Sequence, residues 1–147
     1  MKTVRFLNTE EMKKEQNYFS TDNKIVIGMV VDNHLVAHVD FFDAGDNETN
    51  IDMIYVNEGC RGNGYSNLLL NKVLEFFPET LAFTGESTSK ALEFWKAKGV
   101  VFHPDAFVEY PTLEGSDVED GIVFDQLYPF SLKLNQDSSY IPYWEAS

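Results

Sequence analysis

The chain reads as one α/β domain, a sheet of short strands accompanied by helices. Three observations predict that class. Runs dense in apolar residues, such as Lys24 to Val31 and Ile51 to Val56, alternate with segments whose apolar groups recur at helical spacing. The strand that ends at Val56 passes through a glycine-bearing turn straight into one of those helical segments. A length of 147 residues is one domain's worth, long enough to bury a real core.

In chain order, Val4 to Leu7 is a short first strand. Thr9 then opens a helix to Tyr18 as its cap, with Glu10 and Glu11 in the first turn, where negative charge is favoured. Residues 24 to 31 form an apolar strand, Asp32-Asn33 a turn, and His34 to Phe42 the hairpin partner. Alternation along that partner puts His34, Val36, His38 and Asp40 on one face. Ala44 to Asn50 reads as a polar loop, and Ile51 to Val56, rich in apolar residues, as a central strand. Tyr65 to Phe77 carries Leu68, Leu69, Val73, Leu74 and Phe76 near helical spacing until Pro78 stops the helix. Leu81 to Thr84 gives the next strand. Ser87 or Thr88 caps a helix running to Lys98, and Gly99 ends it. Val100 to His103 is a strand, and Ile122 to Phe124 with Tyr128 to Leu134 supply one or two more. Between them lies a long acidic loop of a kind that is often functional. The aromatic tail Tyr140 to Trp144 is expected to dock on its own domain or on a second subunit of a homodimer, because such rings are costly to leave in water.

Composition narrows the function. No apolar run approaches the roughly 18 residues of a membrane span, and the N-terminus has no apolar signal-peptide core. The single cysteine, Cys60, excludes an internal disulfide and fits a reducing cytoplasm. His34, His38 and His103 are too scattered to suggest a metal site. With 24 acidic residues against 11 Lys and Arg, the formal charge of -13 argues against nucleic-acid backbones and anionic membranes, and for cationic partners. Asp105, Glu109, Glu114, Asp117, Glu119, Asp120 and Asp125 fall in a stretch without Lys or Arg, either a rim that attracts an amine or a solvated loop.

The turn after Val56 carries the chemistry. Gly62 and Gly64 can adopt backbone angles closed to other residues and leave no side chain between the main chain and a ligand. The first-turn amides of the following helix, Tyr65 to Leu68, would face an anion with the positive end of the helix dipole behind them. Phosphate is the expected ligand.

Arg61-Gly62-Asn63-Gly64-Tyr65-Ser66 resembles the Arg/Gln-x-x-Gly-x-Gly/Ala pyrophosphate loop of the GNAT superfamily of N-acetyltransferases, which lies between that family's fourth strand and third helix. Ser87 to Val100 resembles its second cofactor segment, usually Asn-x-x-Ala-x-x-x-Tyr-x-x-x-Gly-Phe, with Ala91 and Gly99 at the matching spacing. The resemblance covers residues 25 to 103. It implies a mixed, mostly antiparallel sheet, splayed at its centre and flanked by helices. On this reading residues 1–147 are one such domain, with an abbreviated N-terminal helical region and an extended acidic segment over 103–147. It further implies that acetyl-CoA, or another short acyl-CoA, acylates a primary amine of a cationic acceptor. That acceptor could be a small amine, a polyamine, an aminoglycoside, or a peptide or protein amine.

The same resemblance sets Ile54, Tyr55 and Val56 along the pantetheine arm, wraps Arg61 to Ser66 around the pyrophosphate, and adds Thr88 and Trp95 to the cofactor site. Trp95 stands where the family often carries a tyrosine that protonates the departing thiolate, and indole cannot do that. Trp95 is instead expected to form an apolar wall. Asp52 on the strand before the turn, and Glu86 at the end of the next strand, are the candidate bases. The competing readings are a CoA-binding or protein-interaction module without catalysis, and an acidic mimic of nucleic acid.

Overall fold

The computed structural model describes residues 3–18, 23–88, 91–104, 108–112, 123–136 and 138–145. The chain divides into two units, Met1–Thr80 and Leu81–Ser147.

In the first unit, strands β1 (Val4–Leu7), β2 (Ile25–Val31), β3 (His34–Gly45) and β4 (Glu48–Val56) lie side by side in sequence order, each antiparallel to the next. Two tight turns make this possible. Asp32-Asn33 and Asp46-Asn47 all have positive φ (49°, 69°, 53° and 60°), which two-residue hairpin turns require to match the twist of their strands. The second turn corrects the expected loop at 44–50: β3 continues to Gly45 and β4 resumes at Glu48, with the Gly45 N–H donating to the Asp43 carboxylate at 2.9 Å.

Helix α1 (Thr9–Gln16) is shorter than expected and its cap is Asn8. The Asn8 side chain accepts from the Glu11 N–H, and the Glu11 carboxylate accepts from the Asn8 N–H, so two orphan donors are satisfied reciprocally. Thr9 is otherwise engaged, its hydroxyl donating to the Val26 carbonyl and accepting from the Val26 N–H. Asn17, in the left-handed region at φ 54°, ends the helix before Tyr18. Met12 is the residue α1 buries, packed with Leu7, Val26 and Val30. Complete burial of side chains of this kind stabilises by about 1.5–3 kcal/mol each.

Helix α2 (Tyr65–Phe76) buries Leu69, Leu70 and Val73 and contributes Phe76, which meets the fully buried Phe41 of β3 edge-on at 5.7 Å. Phe77 meets Phe41 the same way at 5.8 Å, immediately before Pro78.

In the second unit, β5 (Ala82–Thr88) pairs with β8 (Val123–Lys133), which also pairs with β6 (Val101–Phe102) and β7 (Val108–Thr112), all antiparallel. Two expectations change here, since β5 extends to Thr88 and Val108–Thr112 within the acidic stretch is a strand, and of the one or two strands expected over 122–124 and 128–134 there is one. Backbone pairing carries charged residues into ladders that composition alone reads as loop. Residues 113–122, with Glu114, Asp117, Glu119 and Asp120, lie outside the described residues.

Helix α3 (Leu92–Lys98) follows, closed by Gly99 at φ 90°, with the Gly99 N–H donating to the Lys96 carbonyl and the Val100 N–H to that of Trp95. Of the two expected caps, Thr88 accepts from the Ala91 N–H at 3.2 Å, whereas the Ser87 hydroxyl donates to the Thr88 carbonyl. The aromatic tail docks on its own unit: Tyr140 bonds the Ser131 hydroxyl at 3.1 Å, and Trp144 lies against the His103 ring at 5.1 Å. Among the described residues no helix is long and apolar enough to cross a membrane.

Candidate active site

The turn between β4 and α2 is fixed at both ends by its own hydrogen bonds. The Asn57 N–H donates to the Val36 carbonyl, and its side-chain amide to that of Leu35, pinning the end of β4 to β3. A 3-10 turn, Glu58–Cys60, leads on to Arg61, whose Nε reaches back to the Val56 carbonyl at 3.1 Å. The Asn63 side-chain amide donates to the Cys60 carbonyl at 2.9 Å. These contacts leave Gly62 and Gly64 at φ 86° and 76°, in the left-handed region, with open space where a Cβ would stand at either position.

Gly64 is also the N-cap of α2. No side chain caps that helix, and its first turn contains no acidic residue. Arg61, Gly62, Asn63 and Gly64 are exposed, while Tyr65 and Ser66 are half-buried. An exposed, glycine-lined helix start with a guanidinium beside it can hold an anion through main-chain N–H groups and the helix dipole.

A family model described as the acetyltransferase (GNAT) family matches residues 3–99, which include all of this turn. The chain belongs to that family. No curated protein matches it. Several solved acetyltransferases share the fold at low identity. An IAA acetyltransferase from Bacillus cereus ATCC 14579 is 14% identical with a TM-score of 0.64, covering 91% of this chain and 100% of its own. The ribosomal-protein-S18-alanine N-acetyltransferase from Escherichia coli is 13% identical with a TM-score of 0.62, covering 97% and 100%. An acetyltransferase from Bacillus subtilis, solved in complex with CoA, is 13% identical with a TM-score of 0.62, covering 90% and 100%. The shared architecture is a mixed, mostly antiparallel sheet flanked by helices, as the family resemblance implies.

Within this GNAT framework the residues singled out from sequence fall in distinct settings. Ile54 and Val56 are half-buried on β4, and Tyr55 between them is 45% exposed. Asp52 lies at a register shift, skipped between the pairs Asp40↔Met53 and Phe41↔Ile51, and its carboxylate accepts from the Lys24 ammonium at 2.7 Å. Glu86 is exposed on β5 opposite Pro129. Trp95 is 5% exposed and stacked on Phe130 at 4.3 Å, with Phe94 edge-on at 5.0 Å, so most of its indole faces protein. Among the described residues no group of three His, Cys, Asp or Glu is placed to hold a metal ion.

Sequence reading missed a polar cluster on β3. Asp40 is 6% exposed, yet its carboxylate is well satisfied: the Tyr18 hydroxyl lies 2.9 and 2.7 Å from its two oxygens, and His38 Nδ1 lies 3.2 Å from Oδ1. Burial first, then the hydrogen bond to Asp40 and the charges of Asp40 and Asp52, push the Tyr18 phenol well above its ordinary range, so it stays a donor. The His38 ring stands 4.9 Å from Tyr18 and 5.9 Å from Tyr55, its register partner on β4.

The expected face-sharing along β3 holds for His38 and Asp40 but not for His34. A register shift leaves Val36 unpaired between Val30↔Leu35 and Met29↔Ala37. That extra residue brings Leu35, and not His34, to the side of His38. The alternation of His38 and Asp40 was a usable signal; nothing local points to Tyr18, 22 residues from Asp40.

Proposed function

We propose that the chain transfers an acetyl group from acetyl-CoA, or another short acyl-CoA, to a primary amine of a cationic acceptor. The observation that carries this reading is the uncapped start of α2 at Gly64, with Gly62 and Arg61 before it, inside the span that matches the family. A pyrophosphate there would be held by main-chain N–H groups of the turn and of the first helical turn, with the arginine as a further cation. Ile54 to Val56, leading into the turn, would carry the pantetheine arm. Thr88, in the second segment, spends its hydroxyl on the Ala91 N–H and would shape the chain there.

Acetyl transfer also requires a neutral amine, donors for the developing oxyanion, and a destination for the surplus proton. Main-chain N–H groups of β4 would serve the carbonyl. Of the two carboxylates expected as bases, Asp52 is tied to Lys24 and Glu86 is exposed on β5. The cationic acceptor is supported by the charge of -13. The single cysteine supports a cytoplasmic setting.

A second reading, a CoA-binding module without turnover, is favoured by Trp95. It replaces the family's tyrosine, and it is committed to packing against Phe130. One experiment separates the two. Thiol release from acetyl-CoA is measured with spermidine, kanamycin and a lysine-containing peptide, beside calorimetric binding of CoA. Binding with turnover is expected; binding without turnover supports the module, and absence of binding overturns both.

A further inference from the structure

We propose that His38 is the general base of this acetyl transfer, held in the required tautomer by the buried Asp40 and by Tyr18; this rests on the transferase reading above. Asp40 and Tyr18 are positioning residues, and His38 is the group that meets the amine.

With Asp40 as a carboxylate, the contacts set the direction of each proton. An ionised carboxylate only accepts, so the 3.2 Å contact requires Nδ1 to carry the hydrogen. The neutral imidazole then has its lone pair on Nε2. Tyr18, whose phenol donates to the same carboxylate, supplies a second hydrogen bond to Asp40, which is 6% exposed. Among the described residues no hydrogen bond involves His38 Nε2, and the imidazole side chain is 13% exposed.

Its surroundings suit an amine. Tyr55 and Met53, the register partners of His38 and Asp40, are 45% and 51% exposed and offer apolar surface beside the imidazole. On the other side β2 places Gly28 opposite His38, and Met12 and Leu35 fill the space a side chain would take there, so an acceptor meets the imidazole from the β4 side. Among the described residues, the ionisable groups facing the cluster are Tyr18 after α1, Asp40 on the same strand, Tyr55 on β4, and the more distant Asp52 with its partner Lys24.

In the step itself, Nε2 takes a proton from the ammonium of the acceptor. The amine lone pair forms the N–C bond to the thioester carbonyl, and collapse of that adduct breaks the C–S bond. The surplus proton on nitrogen is lost as the CoA thiolate gains one. The balance is ammonium plus acetyl-CoA giving amide, CoA thiol and one proton, which His38 passes to solvent.

The test begins with wild-type protein labelled with nitrogen-15 in histidine. Imidazole correlations at neutral pH should report a neutral Nδ1–H tautomer for His38, lost or mixed in Asp40→Asn. An Nε2–H tautomer in the wild type overturns the proposal. In kinetics with spermidine, kanamycin and the lysine-containing peptide, His38→Gln should lose about a hundred- to ten-thousand-fold in kcat/KM. It should also lose the acidic limb of the pH profile, while calorimetric acetyl-CoA binding stays within threefold. Tyr18→Phe should show a smaller loss and keep that limb. A wild-type pH profile in His38→Gln, with acetyl-CoA bound and turned over, refutes the base role alone. Binding without turnover of any of these amines in the wild type removes the base role together with transferase activity, and failure to bind acetyl-CoA removes the parent reading.

Discussion

Helices α1 and α2 begin in opposite ways, although both belong to the first unit. The start of α1 is completed by its own residues: Asn8 and Glu11 exchange hydrogen bonds, and Glu10 and Glu11 place negative charge in the first turn. The start of α2 has a glycine at the cap, no capping side chain and no acid in its first turn, with Arg61 nearby. The same four orphan N–H groups face both helices. One solution favours stability of the chain by itself, the other leaves the end open to something that is not chain. Charge makes the contrast sharper, since a protein with 24 acidic residues places none at the start of α2.

Substitutions at each end should move different observables. The largest effect is expected from Gly64→Val, which adds a branched side chain at φ 76° in open space over the turn. Left-handed backbone costs about 1–2 kcal/mol for an ordinary residue, and the side chain also blocks a pyrophosphate. CoA affinity should fall by about a hundredfold, equal to about 2.7 kcal/mol. Unchanged affinity in calorimetry would remove the cofactor assignment. Gly64→Asn, which tolerates positive φ, should recover part of the loss.

Ser66→Glu gives α2 the acidic first turn that α1 has. CoA binding should weaken about tenfold through repulsion, while the dipole term of about 0.3–1 kcal/mol holds or slightly raises the thermal midpoint. Loss of both affinity and stability would mean that the end is not open in the sense proposed. Asn8→Ala should do the reverse, lowering stability by about 1 kcal/mol and the thermal midpoint by about 2–4 °C in a scanning calorimeter. CoA affinity should stay constant. The smallest effect is expected from Ser66→Ala, within about twofold in CoA affinity, because main-chain N–H groups form the nest. A tenfold loss there would move the binding role from the backbone to the hydroxyl.

What could be read from the sequence was local. Glycine and proline mark α2 and the end of α3 because they act through the backbone at their own position, and so Gly64, Pro78 and Gly99 are legible. The Asn8 cap was hidden by Thr9, an equally good capping residue one position on, and only the tertiary contact of Thr9 with Val26 decides between them. The length of β3 and β4 was hidden by the polar residues around Asp46-Asn47, which suit both a loop and a tight turn. Pairing of Val108–Thr112 with Val123–Leu127 was hidden by the acidic residues in and around these strands, which suit a loop equally well. The Tyr18–Asp40–His38 cluster needed the sheet to bring it together. Its acid is readable only as a strand carboxylate, with no hint of burial.

The open start of α2 links how firmly the chain is folded to how much ligand surrounds it. A ligand that binds only the folded state adds RT ln(1 + [L]/Kd), about 2.7 kcal/mol when it is present at a hundred times its dissociation constant. The glycines of the turn lose more backbone freedom on folding than other residues would, so the unliganded turn is the place where that deficit is concentrated. Lifetime against proteolysis would then follow the concentration of CoA, acylated or free, since both carry the pyrophosphate.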